Sequence, residues 1–187
     1  MNKIDKAIIF AAKAHSGQKR KYSGIPYITH PLAVMEIVAT VEHDQNMLIA
    51  AILHDTVEDT DAKIEDIAWE FCNDVGYLVD QLTDISKPAD GNRAVRKKID
   101  RLRLAKAMPR VKTIKLADLI HNSESISKCD PDFAKVYMAE KKLLLTALVG
   151  GDENLMKIAT KIVDDYYKGL KYDNNSVPSR KQADIMR

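Results

Sequence analysis

Cysteine is scarce in this sequence. Cys72 and Cys129 are its only two, far apart and in no CxxC pair, which excludes a disulfide framework and a zinc–thiolate site. No apolar run approaches the roughly 20 residues that a membrane span needs. Excess charge of one sign is missing too. Lys and Arg number 29 against 27 Asp and Glu, a net charge of +2, so no general attraction to nucleic acid or to a membrane surface is expected. The opening stretch MNKIDKAIIFAAKAH has a short apolar patch without the long apolar core and small-residue cleavage site of a signal peptide. A reduced, cytoplasmic setting is the expectation. There is no internal repeat and no linker-like stretch, so residues 1–170 read as one domain, long enough at 187 residues in all to bury a sizeable core. The remainder, 171–187, is polar and aperiodic and is expected to be disordered.

What is present is helical periodicity. Ile4, Ala7, Ile8 and Ala11 recur at helical spacing, and that helix is expected to reach about His15. SGQKRKYSGIPYITH then interrupts it with two glycines and a proline, too polar and irregular for a strand pair. Pro31 suits the first position of the next helix, where its missing N–H costs nothing. A helix over 45–59 is apolar on nearly every face before His54, the pattern of a buried helix. Further helices are expected over 62–72, 75–85, 93–108, across RVKTIKLADLIHN, and over 132–149 and 152–169, with SKPADGN as a loop. The fold class is all-α, a bundle of about eight to ten helices.

Chemistry concentrates in LHDTVEDT, residues 53–60, directly after NMLIAAI. Read as one continuous helix, His54 stacks with Glu58 and Asp55 with Asp59, since residues four apart share a face. The stripe Leu48, Ile52, Asp55, Asp59 then passes from apolar to acidic, which carries Asp55 into a region where an unpaired charge is expensive. Metal coordination offsets such a cost, and an adjacent imidazole and carboxylate suit Mn, Fe or Zn. In KTIKLADLIHN, Val111, Ile114, Asp118 and Asn122 share a face with Lys115 beside them, so Asp118 also interrupts a buried stripe. His30, in YITHP, opens a helix. Each residue taken alone also fits a blander role as a satisfied core or capping group, and Glu58, Asp59 and Asp61 fit a solvated helix end.

The ordered set AHSGQKRKYSGIPYITHP, AAILHDTVEDT, RAVRKKIDRL and IKLADLIHN resembles the HD-domain hydrolases of the RelA/SpoT type over about Ala11 to Ile126. In size the chain is similar to their small single-domain members, the alarmone hydrolases. The resemblance implies an HD-domain helical bundle in which His30, His54, Asp55 and Asp118 hold one Mn2+, and in which Glu58 and Asp59 position and activate the attacking water. It implies removal of the 3′-diphosphate of guanosine tetraphosphate or pentaphosphate, giving GDP or GTP. It also places Arg20, Lys21 and Ser23 in a guanine-facing loop and Asn122 and Ser125 near the ribose. Lys115, with Arg93, Arg96 and Lys97 of the basic helix, would supply cations for the diphosphates, although RAVRKK as a whole reads more simply as solvated surface, and Lys97 and Lys98 cannot both face one pocket.

Three positions depart from the family pattern: Tyr22 is an extra residue relative to the long members, Ile25 replaces a glutamate and Leu119 an arginine. All three are expected around the base and sugar, so they bear on substrate identity more than on hydrolysis. The alternatives are an HD nucleotidase or deoxynucleoside triphosphohydrolase acting on another nucleotide, a sensor that binds nucleotide without cleaving it, and a purely structural helical protein, which leaves the buried acids unexplained. Oligomeric state is not legible in the sequence.

Overall fold

A computed structural model describes residues 1–169, the side chain of Glu124 excepted; the polar segment 171–187 lies outside the described residues. The described residues are helical throughout apart from loops, in the order α1 (Lys3–Ala14), α2 (Thr29–Val38), α3 (Gln45–Leu53), α4 (Thr56–Asp59), α5 (Ile64–Glu70), α6 (Asn73–Leu82), a 3-10 turn (Pro88–Asp90), α7 (Arg93–Lys106), α8 (Pro109–Cys129), α9 (Pro131–Ala147) and α10 (Glu153–Tyr167). The all-α expectation holds.

α3 sits at the centre. Its sequence is apolar all round, and Met47, Ile49, Ala50, Ala51, Ile52 and Leu53 are all buried, enclosed by α1, α2, α6 and α8. Asp44 starts the helix by accepting the Met47 N–H at 2.9 Å, which satisfies one of the first-turn donors that a helix leaves without partners. α8 is the second axis, packing against α2, α3, α6, α9 and α10. Its Val111, Ile114, Leu116, Ala117 and Leu119 are buried, and Asp118 is buried among them.

Two local expectations are corrected. The helix expected over 45–59 is broken at His54–Asp55. There the Thr56 hydroxyl donates to the Leu53 carbonyl at 2.7 Å and His54 Nδ1 meets the Ala51 carbonyl at 2.8 Å, side-chain bonds that compete with the backbone ladder. His54 therefore does not stack with Glu58. Pro31 is the third residue of α2, not its first; anywhere in the first turn its missing N–H is one the helix cannot use. The loop before α2 is held by its own backbone bonds. Arg20 N–H donates to the Ile25 carbonyl and Tyr27 N–H to the Gln18 carbonyl, at 2.9 and 3.0 Å, and Gly24 turns the chain at φ +70, a backbone state that glycine adopts without cost.

The loop between α6 and α7 is held by one buried acid. Asp100 accepts the N–H groups of Ile85 and Ser86 at 3.0 and 2.9 Å and the Ser86 hydroxyl at 2.7 Å. Replacing Asp100 with alanine strands three donors, and we expect a loss of about 3 kcal/mol, read as a lower thermal midpoint. Asp100→Asn, which keeps one acceptor oxygen, should fall between the two.

Candidate active site

At the turn after α3, Asp55 faces His30 of α2 and lies in the field of Asp118 of α8. The ligand-type atoms of His30, His54 and Asp55 lie within 4.8 Å of one another. His30 Nε2 is 3.4 Å from Asp55 Oδ2 and 3.3 Å from Asp118 Oδ1. His54 Nε2 is 3.1 Å from Asp55 Oδ1 and 3.8 Å from Asp118 Oδ1. The four residues named from the sequence thus converge on one point from α2, the α3–α4 turn and α8.

Each ligand candidate is oriented from behind. His54 Nδ1 is engaged by the Ala51 carbonyl and His30 Nδ1 by His121 Nδ1 at 2.7 Å. Both Nε2 atoms are buried without a hydrogen-bond partner and face the carboxylates. Tyr27 donates its hydroxyl to Asp55 Oδ2 at 2.7 Å, Asn122 donates to Asp118 Oδ1 at 2.6 Å, and Lys115 pairs with Asp118 Oδ2 at 2.9 Å. Two orphaned imidazole nitrogens and two oriented carboxylates are a donor set that fits a divalent metal, and outer partners of this kind are what fix metal ligands in place. His121 and Tyr27 were given no such role from the sequence. Both lie within quoted motifs, but only the fold shows what they touch.

The electrostatics agree with the geometry. Burial acts to raise the Asp118 carboxyl, but Lys115 and the facing imidazoles of His30 and His54 hold it well below the usual range. Asp55 is likewise held down, against burial, by His54 and His30. Burial opposes charge on His54, yet the two carboxylates facing it push its imidazole up to about 10. Burial, then the Asp55 and Asp59 carboxylates, keeps the Tyr27 hydroxyl protonated and therefore a donor.

The acid pair divides. Glu58 lines a pocket of about 380 Å3 with Asp84, Ser86, Arg93, Arg96 and Lys97, whereas Asp59 lines a separate depression with Gln18, Lys13 and Phe10. The walls around Glu58, then the Asp84 carboxylate, raise its carboxyl, with Lys115 opposing. Burial and Asp55 raise that of Asp59, with a hydrogen bond from Tyr27 opposing. Asp59 is also tied through its backbone, where its carbonyl accepts the Gln18 amide at 2.8 Å.

The basic helix differs from its expectation as solvated surface. Arg93, Arg96 and Lys97 of α7 all face the Glu58 pocket, with Lys97 paired to Asp84 at 2.7 Å and Arg93 to Glu140, while Lys98 is exposed. Topology alone brings Asp84 here, and no local signal marked it.

The nucleotide-loop residues do come together. Arg20, Lys21, Ser23, Asn122 and Ser125 line one cavity of about 480 Å3, with Tyr22, Tyr27 and Phe133 supplying rings. Arg20 lies over the Tyr27 ring and donates to Asn122 Oδ1 at 2.7 Å, so a continuous relay runs from this cavity through Asn122 to Asp118. Lys115 is placed differently from the other five. It does not line that cavity but lies between Asp118 and Asp84, whose charges, against burial, keep it an ammonium. Of the three departures from the family pattern, Tyr22 lines the cavity, Ile25 is exposed outside it and Leu119 is fully buried in the core. The expectation that all three surround the base and sugar is therefore corrected.

Two imidazoles and two carboxylates at the junction of packed helices are a donor set that fits a divalent metal in an all-helical domain. The chain belongs to the HD-domain family, whose sequence pattern it matches over residues 7–148. A metazoan ortholog of SpoT that hydrolyses ppGpp superposes with a TM-score of 0.80 at 31% identity, over 91% of this chain and 97% of that one. The Escherichia coli K12 bifunctional (p)ppGpp synthase/hydrolase SpoT is 37% identical over 135 residues, 71% of this chain and 19% of that protein. A Streptomyces coelicolor protein named GTP pyrophosphokinase is 44% identical over 127 residues, 67% of this chain and 15% of its own length. The chain thus spans less than a quarter of the length of these curated relatives. Among the described residues, no helix is long and apolar enough to cross a membrane.

Proposed function

We propose that this chain hydrolyses guanosine 3′,5′-bis(diphosphate), and its pentaphosphate counterpart, at the 3′ position to give GDP or GTP, with residues 1–170 as the catalytic domain. The observation that carries the reading is the pairing of sites: a ring-lined cavity suited to a base is joined by the Arg20–Asn122–Asp118 relay to a four-donor centre beside a basic pocket. The near-complete overlap with a protein described as hydrolysing ppGpp supports it.

In this reading His30, His54, Asp55 and Asp118 hold one Mn2+ per chain. A divalent ion there polarises the phosphoryl oxygen and acidifies water. The protein does the rest by positioning. Tyr22, Tyr27 and Phe133 offer faces to the guanine, Arg20, Lys21 and Ser23 its polar contacts, and Asn122 and Ser125 the ribose. Glu58 accepts the proton of the attacking water, whose oxygen bonds to the first 3′ phosphorus as the bond to the ribose 3′ oxygen breaks and that oxygen takes up a proton. Asp59, on the other side of the turn, acts by holding Tyr27 and, through its backbone, Gln18.

The test is incubation of the purified chain with guanosine tetraphosphate, with Mn2+ or with chelator, and chromatography of the products. GDP and diphosphate formed only with metal are expected. Intact guanosine tetraphosphate alongside hydrolysed deoxynucleoside triphosphates would replace this reading with the nucleotidase one, and different divalent ions on the same column rank the metals.

A further inference from the structure

α9 lines the ring-lined cavity with Phe133 and reaches the edge of the Glu58 pocket through the pairing of Glu140 with Arg93. Phe133, Tyr137 and Lys141 recur every four residues and so lie on one face of the helix. Tyr137 is buried one turn after Phe133, its hydroxyl 3.4 Å from the Ser123 hydroxyl. Lys141 places its ammonium 4.7 Å from the centre of the Tyr137 ring, where it feels the charges of Asp118, Lys115 and Lys97. The two neighbouring lysines are each neutralised, Lys115 by Asp118 and Lys97 by Asp84. Among the described residues, Lys141 has no carboxylate within ion-pair distance, and Glu140 beside it is taken by Arg93.

We propose that Lys141 is a substrate-binding residue, its uncompensated ammonium taking its counter-charge from the phosphate chain of a nucleotide whose base lies in the Phe133 cavity. This rests on the nucleotide-hydrolase reading above and adds to it a residue that no motif marks. A cation in a part-buried site without a counter-ion is expensive to keep, and an incoming phosphate removes that cost while Tyr137 holds the ammonium from one side.

A second consequence follows from what surrounds the amine. Burial, first, with Lys115 on α8 and Lys97 on α7, lowers the Lys141 ammonium to about 8, against the opposing pull of Asp118 and Glu140; Asp84, after α6, also lies in range. A bound phosphate chain favours the charged form. Above that pH the free protein must therefore take up a proton to bind, and KM should rise as pH increases past about 8.

The experiment compares steady-state kinetics of the Mn2+-loaded wild type with K141M and K141R on guanosine tetraphosphate across pH 7 to 10. K141M is expected to raise KM by about 10- to 100-fold and to leave kcat within about threefold, the pattern of a lost binding contact. K141R should keep most of the affinity and lose the alkaline rise in KM, because a guanidinium stays charged throughout. An unchanged KM in a K141M protein of normal helicity overturns the proposal, and so does a loss confined to kcat. A wild type that binds the nucleotide without cleaving it would sink the hydrolase reading alone; the same ratio is then expected in dissociation constants, and equal constants overturn the proposal. A wild type that neither binds nor cleaves it overturns both.

Discussion

Replacing Asp118 with alanine should cost the protein its metal and about a thousandfold of its turnover, since a metal's Lewis acidity supplies several kcal/mol and about 4 kcal/mol corresponds to that factor. The size of the effect comes from how many groups this carboxylate serves. Oδ1 faces the Nε2 atoms of His30 and His54 and accepts from Asn122; Oδ2 neutralises Lys115. Alanine therefore removes one ligand, loosens the Arg20–Asn122 relay and leaves a lysine among buried groups with one counter-charge fewer. Loss of a partner from a buried pair costs about 3 kcal/mol or more, so a lower thermal midpoint should accompany the loss of activity. Asp118→Asn separates the two effects. It keeps the shape and an acceptor for Asn122 but not the charge, and should fold better than Asp118→Ala while still binding little metal. Equal metal content in wild type and both variants, measured by elemental analysis, would remove Asp118 from the ligand set.

The four-donor cluster lies across three elements, yet all four residues could be picked out in the sequence as ligand candidates. Asp118 was readable from helical spacing alone, because α8 is continuous through KTIKLADLIHN and the buried stripe it interrupts is real. Asp55 was readable from the same kind of stripe, although the helix that carries it is broken just before it. The Asp59 N–H still donates to the Asp55 carbonyl at 2.9 Å, so the two acids keep their one-turn spacing, while the Asp55 side chain meets Tyr27 and His30. Polar residues able to bond their own backbone, His54 and Thr56 here, are the local cause of the break, and periodicity does not register them. His30 was a candidate only from its place at a helix entry beside apolar sequence, and the family resemblance supplied its role.

What escaped the sequence is what depends on through-space convergence. Asp84, Arg93 and Lys97 form one pocket with Glu58 only because Asp100 pins the loop between α6 and α7. The basic helix looks like solvated surface because its charges are numerous and only some point inward. His121 is invisible for the same reason: it matters through His30 on another helix. The core was easier. A helix apolar on every face has only one place to go, and α3 is there.

The division of the acid pair leads to the second large effect. Glu58→Gln should leave metal content unchanged, because Glu58 lies outside the four-donor cluster, and should lower kcat by about 100- to 10,000-fold, the usual range for loss of a general base. Glutamine keeps the volume and one oxygen to accept the Asp84 N–H that Glu58 meets at 3.5 Å, so the pocket should survive the change. The pH profile carries the diagnosis. A base must be deprotonated to work, and the pocket walls and Asp84 raise this carboxyl, so wild-type activity should fall on the acid side at a higher pH than an ordinary glutamate would dictate. That limb should disappear in Glu58→Gln, leaving a low rate that no longer tracks the titration of this group. Asp59→Asn should behave differently. Its backbone carbonyl still accepts from Gln18, its side chain lines another depression, and its effect should reach the site through Tyr27 as a smaller loss with the acid limb retained. A Glu58→Gln protein that keeps full activity, or an acid limb that vanishes with Asp59 instead, would transfer the base from one residue of the pair to the other.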